Sequence, residues 1–178
     1  MMSENIIFIG IAVIIGGGIL AIIAYYVARF MRGSIKLSMP LTAFNAGDTI
    51  SGSFDLHTKK AIEGNRLIVS LIGTQETKTR RDGESETHSD EIFRDEVLLE
   101  GVKIFTAGAK AKYDFTISTP DAQAPDFLNS KIGQALSVAS QLLGNRSTRL
   151  KWQIEARLDA KGVDLVATKS ISINTNQL

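Results

Sequence analysis

The residues of this chain that could do chemistry are few. It holds two histidines, His57 and His88, and no cysteine. Without cysteine, disulfides, thiol catalysis and thiolate metal ligation are excluded. His88 stands among Glu84, Glu86, Asp90 and Glu91, and imidazole with carboxylates can ligate a divalent cation. The same stretch interleaves Lys78, Arg80 and Arg81, however, and mixed charge of this density reads as a solvated face. His57 follows a run of alternating residues and precedes Thr58, Lys59 and Lys60, the setting of a solvated histidine at a strand end. No glycine-rich phosphate loop, nucleophile elbow or His-Glu-x-x-His motif occurs. The carboxylates gather in loops rather than framing an apolar cleft, so paired acid–base work has no support. The sequence therefore assigns no catalytic residue, no metal ligand and no cofactor. Trp152 offers a stacking surface for a sugar, but it lies in phase with Leu150 and Ile154, which reads as core.

With chemistry set aside, the strongest signal is an uncharged run from Ile6 to Ala28, closed by Arg29 and Arg32. As a helix it would be about 34 Å long, enough to cross a hydrocarbon core of ~30 Å. A cleaved signal peptide is disfavoured: Met1–Asn5 carries no Lys or Arg, and Tyr25-Tyr26-Val27-Ala28-Arg29 is a poor cleavage site. A buried core helix would be shorter and amphipathic. The expectation is a retained single-span anchor over residues 1–32. Arg29, Arg32 and Lys36 follow the span and Glu4 precedes it, which puts the N-terminus outside and the C-terminal portion in the cytoplasm. Gly10, Gly17, Ala21, Ala24 and Ala28 share a face. Small residues on one face permit pairing, either between copies of this chain or with another membrane protein.

The remaining roughly 145 residues suffice for one domain with a real core. Net charge is +1, so no global field draws in nucleic acid. Periodicity is strand-like almost throughout. Ile35, Leu37 and Met39 alternate with polar residues, as do Ile50–Leu56 and Tyr113–Ile117; Leu67–Leu71 is more apolar. Leu150–Leu158 alternates without exception, and Ile171 and Ile173 mark a last strand. Turn signals separate these runs, which predicts an antiparallel, immunoglobulin-like β-sandwich over residues 33–178. Two segments depart from the pattern. Gln75–Asp95 reads as a long solvated hairpin with Asp82-Gly83 near its turn. Phe127–Leu143 carries Leu128, Ile132, Leu136 and Leu143 at helical spacing, an inserted amphipathic helix that would cap the sandwich or meet a membrane surface or partner.

Four pieces together resemble arrestin-like domains, and especially their bacterial sporulation-control relatives. Ala46-Gly47-Asp48-Thr49-Ile50-Ser51-Gly52 resembles the early turn and strand, and Leu67–Gly73 the strand that follows. Glu100-Gly101 and Ala107-Gly108 through Tyr113–Pro120 resemble the middle segment; Leu150–Asp159 with Gly162, Asp164, Ile171 and Ile173 resembles the closing hairpin. The chain has room for one sandwich where arrestins proper have two, and a membrane span is not a general feature of the family. The resemblance implies a non-enzymatic adaptor or scaffold that binds a protein partner, often by pairing to a strand edge. Here that partner would be membrane-associated, met at a sheet edge, at the hairpin with Arg80 and Arg81, or at the inserted helix through Leu136 and Leu143. The alternative is an envelope-facing module for a glycan or small ligand, with inverted topology.

Overall fold

The computed structural model describes residues 17–20, 22–81, 84–121 and 146–174, with side chains for all of these except 80, 81 and 146–148. Alternation of apolar and polar residues resolves into strands β1 (Gly33–Ser38), β2 (Ala43–Asn45), β3 (Thr49–Thr58), β4 (Ile62–Arg81) and β5 (Glu84–Glu100). They are followed by β6 (Lys103–Phe105), β7 (Lys110–Ser118), β8 (Arg146–Ala160) and β9 (Leu165–Asn174). One sheet has the order β1-β3-β7; the other has the order β2-β9-β8-β4-β5, with β6 also paired to β4. The expected mainly-β sandwich is present, with one departure from the antiparallel rule: β2 runs parallel to β9 through Ala43–Asn45 against Ser172–Asn174. β2 and β6 have three residues each, too few to show a period.

The two inner faces supply one core. Ile50, Phe54 and Leu56 of β3 and Phe115 and Ile117 of β7 join Leu67, Val69 and Leu71 of β4 with Ile154, Ala156 and Leu158 of β8. Burying one large aliphatic or aromatic side chain contributes about 1.5–3 kcal/mol, so period-two burial locks every register. Trp152 is 5% exposed. It is core, as its phase requires, and offers no platform for a sugar. Its Nε1 is buried with no hydrogen-bond partner among the described residues.

Each sheet has an inward glycine directly opposite a large aromatic: Gly52 faces Phe115 and Gly73 faces Trp152. A Cβ on either would stand 2.6 Å from that ring. The aromatic thus lies over the space a side chain would fill, and Phe93 meets Trp152 edge-on at 5.7 Å. The turn before β3 is built from its own chemistry. Gly47 takes a φ of 80°, and the Asp48 carboxylate accepts the Asn45 amide at 2.6 Å. Thr119 closes the other side, its amide donating to the Asp48 carbonyl at 2.8 Å.

β4 and β8 run beyond the core. Thr74–Arg81 pairs with Glu84–Glu91 on one side, and Thr74–Thr79 with Arg146–Lys151 on the other. Arg81 lies opposite Glu84, so β4 and β5 pair as the long hairpin read from the sequence; Asp82 and Gly83 lie outside the described residues. The charged hairpin is therefore broader than expected: the polar start of β8 makes it a three-stranded extension. Arg80 and Arg81 lie in β4. The expected helix over Phe127–Leu143, with Leu136 and Leu143, lies outside the described residues.

Residues 17–20 and 22–32 are helical. Among the described residues no helix is long and apolar enough to cross a membrane; Ile6, Gly10 and Ala21 fall outside them. Gly17 and Ala28 are in helical stretches, and nothing lies within 4 Å of a Cβ placed on Gly17.

Replacing Gly73 by Ala should force the Trp152 ring aside. We expect a loss of about 1–3 kcal/mol in urea denaturation, with a shift in the emission of this sole tryptophan.

Candidate functional site

The helix enters the sandwich without a linker. Gly33, the first residue of β1, is buried, and a Cβ there would collide with the His57 carbonyl oxygen. Only glycine lets the chain turn this closely against β3. The Arg32 carbonyl accepts the Lys59 amide at 2.8 Å. The Arg32 Nη1 donates to the Lys161 carbonyl at 2.7 Å, and Arg29 donates to the Val166 carbonyl. The Lys59 ammonium stands 3.3 Å from the centre of the Phe30 ring, a cation–π contact. Arg29 and Arg32, read from the sequence as membrane flanks, thus also fasten the helix to β9 and the β8–β9 turn. Contacts this distant in sequence leave no local signal. The helix exposes apolar side chains widely: Leu20 is 69% and Phe30 71% exposed, and Ile22, Ile23, Tyr26 and Val27 are exposed too.

Thr58 pins neighbouring turns to this end. It is fully buried; its Oγ1 donates to the Thr106 carbonyl at 2.6 Å, and its backbone bonds Gly108 and Ala109. The turns carrying Lys59, Lys60, Lys110 and Lys161, all exposed, therefore gather around the end of the helix.

The opposite character appears at the far edge. β5 ends its sheet, and Glu84–Glu91 is exposed along its whole length. β5 carries seven carboxylates against a single arginine, Arg94. Register puts Glu84, Glu86, His88 and Asp90 on one face. His88 Nε2 lies 3.1 Å from Asp90 Oδ1, but no group of three or more metal-ligating side chains forms among the described residues. Nearer the core the charges are matched. Arg94 bonds Glu91 at 2.7 Å and Glu96 at 3.3 Å, and Arg66 reaches Glu96 and Asp159. These ions lie over the outer face of β4, where Ile68, Ser70 and Ile72 are buried.

The seam between β5 and β7 is closed by Glu100, whose carboxylate accepts from Lys103 at 2.6 Å and from the Tyr113 hydroxyl at 3.2 Å. The Lys103 bond holds the Glu100 carboxyl below its ordinary value. Burial, then the bond to Glu100, pushes the Tyr113 phenol up. Tyr113 therefore supports the fold below the ordinary phenol value, and that support is lost as pH rises through its folded value. The Glu100 contribution has the opposite sense and fades as pH falls through the depressed carboxyl value.

A concavity of about 540 Å³ lies beside the end of β1, lined by Ser38, Met39, Ser51, Ser53, Asp114 and Lys169 among others, with no aromatic side chain. It gives no stacking surface to a sugar.

No family model matches the sequence, and no curated protein does. Among solved structures, the chain is similar to the sporulation control protein Spo0M from Bacillus subtilis, with a TM-score of 0.54 and 15% identity. The likeness covers 82% of this chain and 50% of that one, so this chain spans about half the length of that relative. It supports the arrestin-like sandwich and speaks to fold alone.

Ultraviolet difference titration of the wild type against Tyr113→Phe should place Tyr113 above the ordinary phenol range. Glu100→Gln should bring it part of the way back, because burial remains; a full return would show that burial contributes nothing.

Proposed function

We propose that this chain is a membrane-anchored, non-enzymatic adaptor that displays an arrestin-like sandwich to the cytoplasm and holds a protein partner at the membrane. The observation that carries the adaptor reading is the outer edge of β5. An edge strand offers a row of main-chain donors and acceptors to any extended segment laid beside it. β5 is seventeen residues long and its far half is exposed throughout. Its carboxylates disfavour edge-to-edge pairing with a second copy of itself and favour an extended partner rich in Lys and Arg.

The anchor reading is supported by the helical residues before β1. Residues 17–20 and 22–27 are uncharged and exposed, and burial in lipid would remove that surface from water. Tyr26 lines a concavity with Gly33, Ile35 and Leu165 where the helix adjoins the sandwich, and tyrosine favours a membrane interface. Tethering raises the effective concentration of the edge near other membrane proteins, so a weak contact suffices.

Crosslinking and affinity capture from detergent extract tests the edge. The variant Glu84→Lys/Glu86→Lys/Asp90→Lys should keep the thermal stability of the wild type, because these side chains are exposed, yet recover at least about tenfold less partner. Equal recovery would reject the edge. Protease treatment of intact cells tests the topology: digestion of the sandwich from outside would reject the cytoplasmic placement.

A further inference from the structure

The end of the sandwich around the helix is strongly basic, and its cations have few local partners. Arg29, Arg32, Lys59, Lys60, Lys110 and Lys161 gather there through the backbone ties described above. Of the carboxylates on these turns, Asp159 is held by Arg66, Asp164 by Arg157 and by the Ala160 amide, and Glu100 by Lys103; Glu63 lies near the start of β4. The chain as a whole is +1, so the excess of positive charge is local, as is the excess of negative charge on β5. Beside the cations, Val102 in the β5–β6 connection and Ile104 in β6 are 88% and 69% accessible, with Ile104 opposite Glu63. This exposed apolar pair adjoins the turns that gather where the largely apolar helix joins β1.

We propose that this end is a docking surface for anionic phospholipid headgroups of a bilayer, which holds the sandwich end-on to the membrane rather than leaving it to swing on its helix. The occupant follows from charge complementarity and from continuity with the helix: Gly33 is the first residue after it and is already in β1, so these lysines cannot lie far from whatever surface the helix enters. Each Lys or Arg near an anionic surface contributes about fivefold to the docked-to-undocked ratio. The ties of Lys60 and Lys161 to Arg32 run through their own backbone atoms, so these side chains and that of Lys110 can be changed without removing the bonds that hold the helix. The proposal rests on the membrane-anchor reading and specifies the lipid chemistry that reading leaves open.

The chain has no cysteine, so a single one introduced at the exposed Ala107, in the turn bonded to Thr58, carries one fluorophore. The full-length protein is reconstituted in vesicles of phosphatidylcholine, alone or with phosphatidylserine, doped with a headgroup nitroxide quencher. Quenching should be strong with phosphatidylserine, weak without it, and should fade as salt is raised. Lys60→Gln/Lys110→Gln/Lys161→Gln should lower the docked-to-undocked ratio about fivefold for each lysine, and the corresponding triple Arg variant should retain docking. Quenching that is equal in both vesicles, insensitive to salt, or unchanged in the Gln variant overturns the proposal. Flotation after an alkaline wash reports the anchor separately. Protein that floats without lipid-specific quenching overturns the docking and keeps the anchor. Protein that is stripped by alkali yet docks in a salt-sensitive way overturns the anchor and supports the docking.

Discussion

The constraint on which the structure depends is a mismatch between its two sheets. β1, β3 and β7 cover only part of what β2, β9, β8, β4, β5 and β6 present. β4 has twenty residues and β3 ten, roughly 66 Å against 33 Å of strand. Where the sheets overlap, alternate side chains are buried and registers are locked. Where the wider sheet runs on uncovered, an apolar face would be an aggregation hazard, and the chain turns polar on both faces from Thr74 to Glu91. The free, charged edge of β5 is a consequence of that overhang. So is the network of Arg66, Arg94 and Glu96 on the outer face, which shields the buried Ile68 and Ile72 of the central strand.

The sandwich was legible because its strands alternate where they are half buried. β8 shows this best: Trp152, Ile154, Ala156 and Leu158 all turn inward. Its first residues were not legible as strand, because Arg146–Arg149 pair with the extension and have no apolar face to impose a period. β2 and β6 are too short to carry a pattern, and the parallel pairing of β2 to β9 joins residues too far apart for any local signal. The arrestin-like turn was legible for a chemical reason. Gly47 supplies a positive φ, Asp48 caps the turn, and Gly52 vacates the space under Phe115. These residues are kept by backbone geometry and packing, so they identify a fold and carry no information about a ligand.

The site was less legible, because its parts are assembled by tertiary structure. Nothing in the order of residues shows that Lys59, Lys110 and Lys161 end up around one helix terminus; that follows from Thr58 and the Arg32 carbonyl joining the turns. The charge asymmetry was partly visible, since the acidic run of β5 is contiguous. Its place was not, because Gln75–Asp95 reads from the sequence as a solvated hairpin of mixed charge, and only the sheet order makes its second strand the last of a sheet.

The direction of β4 joins these two regions and sets the distance between them. Ile62 begins the strand at the basic end, two residues after Lys60, and Arg81 ends it at the tip of the extension. The exposed stretch Glu84–Glu91 lies alongside the last eight residues of β4, opposite Thr74–Arg81. By strand length that stretch is displaced roughly 40–65 Å from the basic end. If the helix and its lysines sit at a bilayer, this edge stands clear of the headgroups by more than the thickness of a typical domain. It would be out of reach of another protein's membrane-spanning helix and well placed for a tail or soluble domain projecting from the same membrane. The anchor would then set how far from the bilayer contact is made, and the carboxylates of β5 would select what is held there.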